Sequence, residues 1–126
     1  MQDHEIYIID DSQVQLILLE KVLMNQGFSI QSFTEGWKLI EAMERSKPSL
    51  IISDIDMPIL DGFELLQEIK IRFDYNRVPF FFMSSKSDPS TEKRARLEGA
   101  HALIQKPFQY SSLFAAINEM LGLAKV

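Results

Sequence analysis

The stretch "SLIISDIDMPILDGFELL", residues 49–66, holds an apolar run, a polar break and a second apolar segment of different period. "SLIIS" (49–53) is continuously apolar at its centre, as in a strand buried on both faces. From Phe63 onward the apolar residues Phe63, Leu66, Ile69 and Phe73 recur at three and four positions, the period of a helix face. Between the two lie Asp54, Asp56 and Asp61, with Pro58 and Gly62 as turn residues. Like charges packed this closely repel and raise one another's pKa. A strand that runs into a carboxylate-rich loop and then a helix predicts a βα unit with acidic groups at the strand's carboxyl end.

The same grammar extends in both directions. Further apolar runs occur at "EIYII" (5–9), "FSIQSF" (28–33), "VPFFFM" (78–83) and "HALIQ" (101–105). Helical spacing fills the intervals. In 12–26, Val14, Leu18 and Val22 recur every four residues, with Ile17, Leu19 and Leu23 widening the stripe, and Gly27 is a stop. In 35–46 the stripe is Leu39, Ile40 and Met43. In 88–99, Asp88 is a good N-cap, Pro89 fits the first helical position and Gly99 the end. In 109–122, Leu113, Ile117 and Met120–Leu121 complete the pattern. Five strands alternating with five helices predict an α/β fold: a parallel sheet, right-handed crossovers and helices on both faces. In about 125 residues this matches a single doubly wound, flavodoxin-like (βα)5 domain of strand order 2-1-3-4-5 over residues 1–126.

Composition narrows the function. The chain has 126 residues, 46% hydrophobic and 25% charged, an ordinary globular balance with room for a real core. A formal net charge of −5 would repel a polyphosphate backbone, which argues against nucleic-acid binding. The absence of cysteine removes disulfides, thiolate metal sites and thiol nucleophiles, and fits a reducing compartment. No apolar stretch has the length of a membrane span, and "MQDHEIYIIDDS" lacks the basic start of a signal peptide. The expectation is a cytoplasmic domain without membrane contact.

Parallel strands bring their carboxyl ends to one edge of the sheet, where ligands bind in such folds. Here those ends carry Asp10-Asp11, Asp54, Ser84-Ser85 and Lys106-Pro107. Any one Asp after a strand is usually a helix cap or turn residue. Acid, acid, hydroxyl and amine at four separate ends point instead to one shared cleft. Three carboxylates with no histidine or cysteine beside them suit a hard divalent cation such as Mg²⁺ rather than zinc. Adding a lysine for a phosphoryl oxygen suggests phosphoryl transfer to an aspartate.

At this point the chain resembles the receiver domain of two-component response regulators. The resemblance rests on "IIDDS" (8–12), "DIDMPILDGFELL" (54–66), "PFFFMSSKSD" (79–88) and "GAHALIQKPF" (99–108). It implies that Asp54 is the phosphoacceptor. It implies Mg²⁺ held by Asp10, Asp11, Asp54 and the backbone carbonyl of Asp56. Lys106 would contact the phosphoryl group, the Lys106–Pro107 bond would be cis, and the Ser84 hydroxyl would bond a phosphoryl oxygen in the active state. Met57, Pro58 and Gly62 would shape the loop. Asp56 and Lys86 would tune the lifetime of the phosphorylated state, as an oppositely charged pair across the mouth. The implied partners are a histidine kinase or histidine phosphotransfer protein upstream, and an effector protein or attached output domain downstream. Leu103 stands where such domains usually place Tyr or Phe, so switching is expected to run through Ser84 and its loop.

Rival readings fit less well. "DID" (54–56) resembles a haloacid-dehalogenase-like nucleophile and acid, but Met57-Pro58 follows and no late carboxylate pair appears. An EF-hand would need a side-chain oxygen at Pro58, a glycine at Ile59 and a bidentate Glu at Leu65. A non-phosphorylated interaction module on the same fold remains the main alternative to a signalling switch; the domain is not expected to be an enzyme. Phe80-Phe81-Phe82 reads as a core strand, His101 as a partly exposed strand opening, Trp37 as a packing or surface residue of the second helix, and "EKRAR" (92–96) as a solvated helix face.

Overall fold

Alternate side chains of β1 (Glu5–Ile9) enter two different cores, as the two-residue period of a strand requires. Tyr7 and Ile9 point to one face of the sheet, Ile6 and Ile8 to the other. The computed structural model describes residues 4–73, 78–86 and 88–123. After β1 the order is α1 (Gln13–Asn25), β2 (Ser29–Phe33), α2 (Gly36–Met43), β3 (Leu50–Asp54), α3 (Gly62–Arg72), β4 (Phe80–Ser84), α4 (Pro89–Leu97), β5 (Ala102–Gln105) and α5 (Tyr110–Leu121). All strand pairs are parallel, in the order β2-β1-β3-β4-β5. This is the doubly wound sheet expected from the sequence.

Leu16, Leu19 and Leu23 of α1 and Leu113 and Ile117 of α5 cover Ile6, Ile8, Leu50, Ile52, Phe81 and Met83. On the opposite face α2, α3 and Ala95 of α4 cover Tyr7, Ile9, Ile51, Phe80 and Phe82. Phe80, Phe81 and Phe82 are each at most 1% exposed, and such rings contribute roughly 1.5–3 kcal/mol apiece on burial. The central strands β1, β3 and β4 are nearly or wholly buried, whereas β2 and β5 lie at the edges and are partly exposed.

Three expectations shift. The inward face of α1 is Leu16, Leu19 and Leu23, not the Val14–Leu18–Val22 line: Val14 is 70% exposed, Ile17 52% and Leu18 54%. Only one face of a helix can meet a sheet, and α1 carries more apolar residues than one face holds. His101 does not open β5 but precedes it, and its Nδ1 accepts the Phe80 N–H at 3.1 Å. The "EKRAR" face is solvated at Glu92, Lys93 and Arg96, but Ala95 is buried and the Arg94 guanidinium stacks 3.8 Å over the Phe63 ring. Trp37 is half-exposed under Arg72, 5.5 Å from the ring centre.

Candidate functional site

Strand register places the acidic groups. Ile9 pairs with Ser53, so Asp10 and Asp54 follow at one level on adjacent strands. Asp54 pairs with Met83, which puts Ser84 one step further out, and Ser84 pairs with Gln105 just before Lys106. The carboxyl ends of four strands thus converge on one edge.

Three carboxylates gather there. One oxygen each of Asp10, Asp11 and Asp54 lies within 4.8 Å of the others. Asp10 is 2% exposed and Asp54 9%, while Asp11 faces solvent. Lys106 projects in from β5: its Nζ lies 2.9 Å from Asp10 Oδ2 and 3.3 Å from Asp54 Oδ1. The Ile55 N–H donates to Asp54 Oδ1 at 3.1 Å, and the Ser12 N–H donates to Asp10 Oδ1 at 2.9 Å. Burial pushes the Asp54 carboxyl up to about 6; Lys106 opposes this, and Asp10 adds to it. Three acids against one lysine leave a surplus of negative charge, and the donor set is entirely hard oxygen. That set fits a divalent cation of the Mg²⁺ kind.

The loop after β3 has its own geometry. Asp61 caps α3 in a reciprocal capping box with Glu64. Gly62 packs against the strand end: a Cβ there would lie 2.5 Å from the Asp54 carbonyl oxygen and 2.9 Å from Ile55 Cα. The Leu60 N–H donates to the Pro58 carbonyl at 2.7 Å, closing a γ-turn around Ile59 at φ 71°. A β-branched residue is strained there, and Ile59 is 84% exposed. The Lys106–Pro107 peptide is cis.

Ser84 is 2% exposed, and its hydroxyl oxygen accepts the Lys86 N–H at 3.0 Å. Asp56 and Lys86 are both exposed, and no ion pair joins them. The structure therefore brings Asp10, Asp11, Asp54 and Lys106 together and leaves the Asp56–Lys86 pair apart. It also adds a residue that the sequence reading passed over. The Lys106 ammonium donates to Gln15 Oε1 at 2.8 Å, its shortest contact. Gln15 and Lys106 share the wall of a depression of about 340 Å³ with Leu18, Pro107 and Phe108.

Known proteins resemble this chain in sequence and fold. The response regulator receiver domain family matches residues 6–118. A probable chemotaxis protein CheY of Rhizobium etli is 30% identical over 122 residues, covering 96% of this chain and 95% of that protein. The DNA-binding transcriptional regulator NtrC of Escherichia coli is 30% identical over 97% of this chain, and the chain spans 26% of its length. The signal receiver domain of a histidine kinase from Syntrophus aciditrophicus superposes with a TM-score of 0.85 at 29% identity, over 94% of this chain and 90% of that one. The chain belongs to the response regulator receiver domain family, the phosphorylation-dependent switches of two-component systems.

Proposed function

We propose that Asp54 accepts a phosphoryl group from a histidine kinase or phosphotransfer protein, with Mg²⁺ held by Asp10, Asp11, Asp54 and the Asp56 carbonyl. The observation that carries this reading is the convergence of three carboxylates and one ammonium at a single edge of the sheet. The Asp54 oxygen tied to Ile55 and Lys106 leaves the second oxygen as nucleophile. That oxygen forms a bond to phosphorus as the P–N bond of a phosphohistidine breaks. The imidazole departs with the electron pair and takes up a proton. The cation, when bound, neutralises charge between the two anions. Lys106, 3.3 Å from Asp54 Oδ1, would supply the second neutralising charge.

The phosphorylated aspartate adds charge and acceptor oxygens beside Ser84. Donating its hydroxyl hydrogen to a phosphoryl oxygen, while its oxygen still accepts the Lys86 N–H, would draw the Ser84 loop inward and alter the surface near α4 and β5. The chain then acts as a switch rather than as an enzyme with a released product. Its effector is a protein partner or an attached output domain. Asp56 and Lys86, both exposed, would influence the approach of water without pairing.

Incubation with acetyl phosphate tests this directly. With Mg²⁺ the intact mass should rise by one phosphoryl group, and Asp54→Asn or a chelator should abolish the gain. No gain in the parent would favour a non-phosphorylated interaction module. Steady multiple turnover of phosphate esters would favour a hydrolase.

A further inference from the structure

The sequence "SQVQ" (12–15) has the form of a capping box, in which the third residue after the cap folds back to the cap's own N–H. Half of that box forms: Ser12 caps α1 and accepts the Gln15 N–H. The other half is taken over. Asp10 Oδ1 accepts the Ser12 N–H at 2.9 Å, and the Gln15 side chain is released from local duty. The contrast within the molecule is direct, because Asp61 and Glu64 of α3 complete both halves. Gln15 turns instead to Lys106, accepting its ammonium at 2.8 Å.

An ammonium has three N–H donors, and Lys106 has three acceptors: Asp10, Asp54 and Gln15. Two of these have other work in the proposed reaction. Asp10 belongs to the acidic cluster that fits a cation, and Asp54 is the group to be phosphorylated. Gln15 is the acceptor that neither event claims. It is also neutral, so it fixes the ammonium without cancelling its charge. A lysine side chain loses rotamer freedom when ordered, and a fastened end meets part of that cost in advance.

We propose, resting on the phosphoacceptor reading above, that Gln15 is a positioning residue for Lys106. It holds the ammonium at the rim of the acidic cluster, aimed at a phosphoryl oxygen on Asp54. The same hold keeps the ammonium against Asp10, where it competes with a divalent cation. Loss of the Gln15 acceptor therefore has two opposite effects. Cation binding improves, and phosphoryl acceptance at saturating cation declines.

Gln15→Leu removes the acceptor while keeping length and helix propensity; Gln13→Leu, two residues away on the same helix and outside this network, is the control. Three quantities are measured on the folded proteins: Mg²⁺ affinity by calorimetry, the rate of phosphorylation by acetyl phosphate at saturating Mg²⁺, and the ¹⁵N signal of the Lys106 ammonium. For Gln15→Leu, Mg²⁺ should bind about threefold tighter and phosphorylation should slow about threefold, the scale of one hydrogen bond. The Lys106 ammonium signal should broaden as its protons exchange faster, and Gln13→Leu should change none of the three. Unchanged Mg²⁺ affinity and an unchanged ammonium signal in Gln15→Leu would overturn the proposal. So would a joint loss of affinity and rate, the mark of general damage to the site. If the parent accepts no phosphoryl group, the phosphoacceptor reading fails, while Mg²⁺ affinity and the ammonium signal still decide whether Gln15 holds Lys106.

Discussion

Asp54→Asn should make the cation-free protein more stable. Burial raises the Asp54 carboxyl from 3.8 to about 6. The folded protein then holds that proton more tightly than the unfolded chain does, so ionisation opposes folding. Above about pH 6 the folded state carries the full penalty. As pH falls from about 6 towards 3.8 the penalty shrinks, and below 3.8 it is gone. At about 1.36 kcal/mol per pH unit, the ceiling is about 3 kcal/mol. Asparagine keeps the shape and cannot ionise, and the 3.3 Å ion pair with Lys106 that it gives up is already counted in that raised value. Burial of the amide's own polar atoms takes back part of the ceiling, and a net gain of about 1–2 kcal/mol moves a urea midpoint up by about 1 M. The assay is urea unfolding in chelator at about pH 7.5 and again at about pH 4. Saturating Mg²⁺ at the higher pH should close the gap, because the parent alone gains binding free energy. A variant less stable than the parent at the higher pH, or equally stabilised at both, would refute the reasoning.

Other consequences are as definite. Gly62→Ala should cost more than about 2 kcal/mol, since its Cβ would meet backbone at the Asp54 carbonyl; urea unfolding reads this, and a neutral result would contradict the packing. Ile59→Asn should stabilise by about 1 kcal/mol by relieving a β-branched residue at φ 71°, and a loss of stability would show that the turn is not strained. Ser84→Ala should still be phosphorylated yet weaken phosphorylation-dependent partner binding more than about tenfold, whereas Leu103→Val should change it by less. The reverse order in a pull-down with and without a phosphoryl mimic would place the coupling in β5. Lys86→Ala should alter the decay of the phosphorylated state if the Lys86 ammonium obstructs water at the mouth, and an unchanged decay would remove it from that role.

The strand ends were the most legible part of the chain. "EIYII" coincides with β1, and the residues that follow the apolar runs, Asp10, Asp54, Ser84 and Lys106, do meet or flank one edge. This follows from topology: a parallel sheet leaves its carboxyl ends no other place to go. The inward face of α1 was not legible, because Val14, Leu16, Ile17, Leu18, Leu19, Val22 and Leu23 offer several stripes of helical period. Tertiary docking alone selects Leu16, Leu19 and Leu23. Gln15 was hidden for a related reason. Its spacing from Ser12 advertises a local cap, and only the position of Asp10 shows that the cap is already satisfied. The Asp56–Lys86 pairing rested on charge and position, and neither brings two exposed side chains together.

The central claim is that the Asp54 carboxylate itself carries the phosphoryl group. An acyl phosphate is reduced by borohydride to an alcohol, whereas a free carboxylate is not. After treatment with acetyl phosphate and Mg²⁺, then borohydride, peptide mass spectrometry should find homoserine at position 54 and nowhere else. It should be absent when Mg²⁺ is chelated. Homoserine at another acidic position, or an unreduced Asp54 in protein whose intact mass shows the added phosphoryl group, would contradict the account.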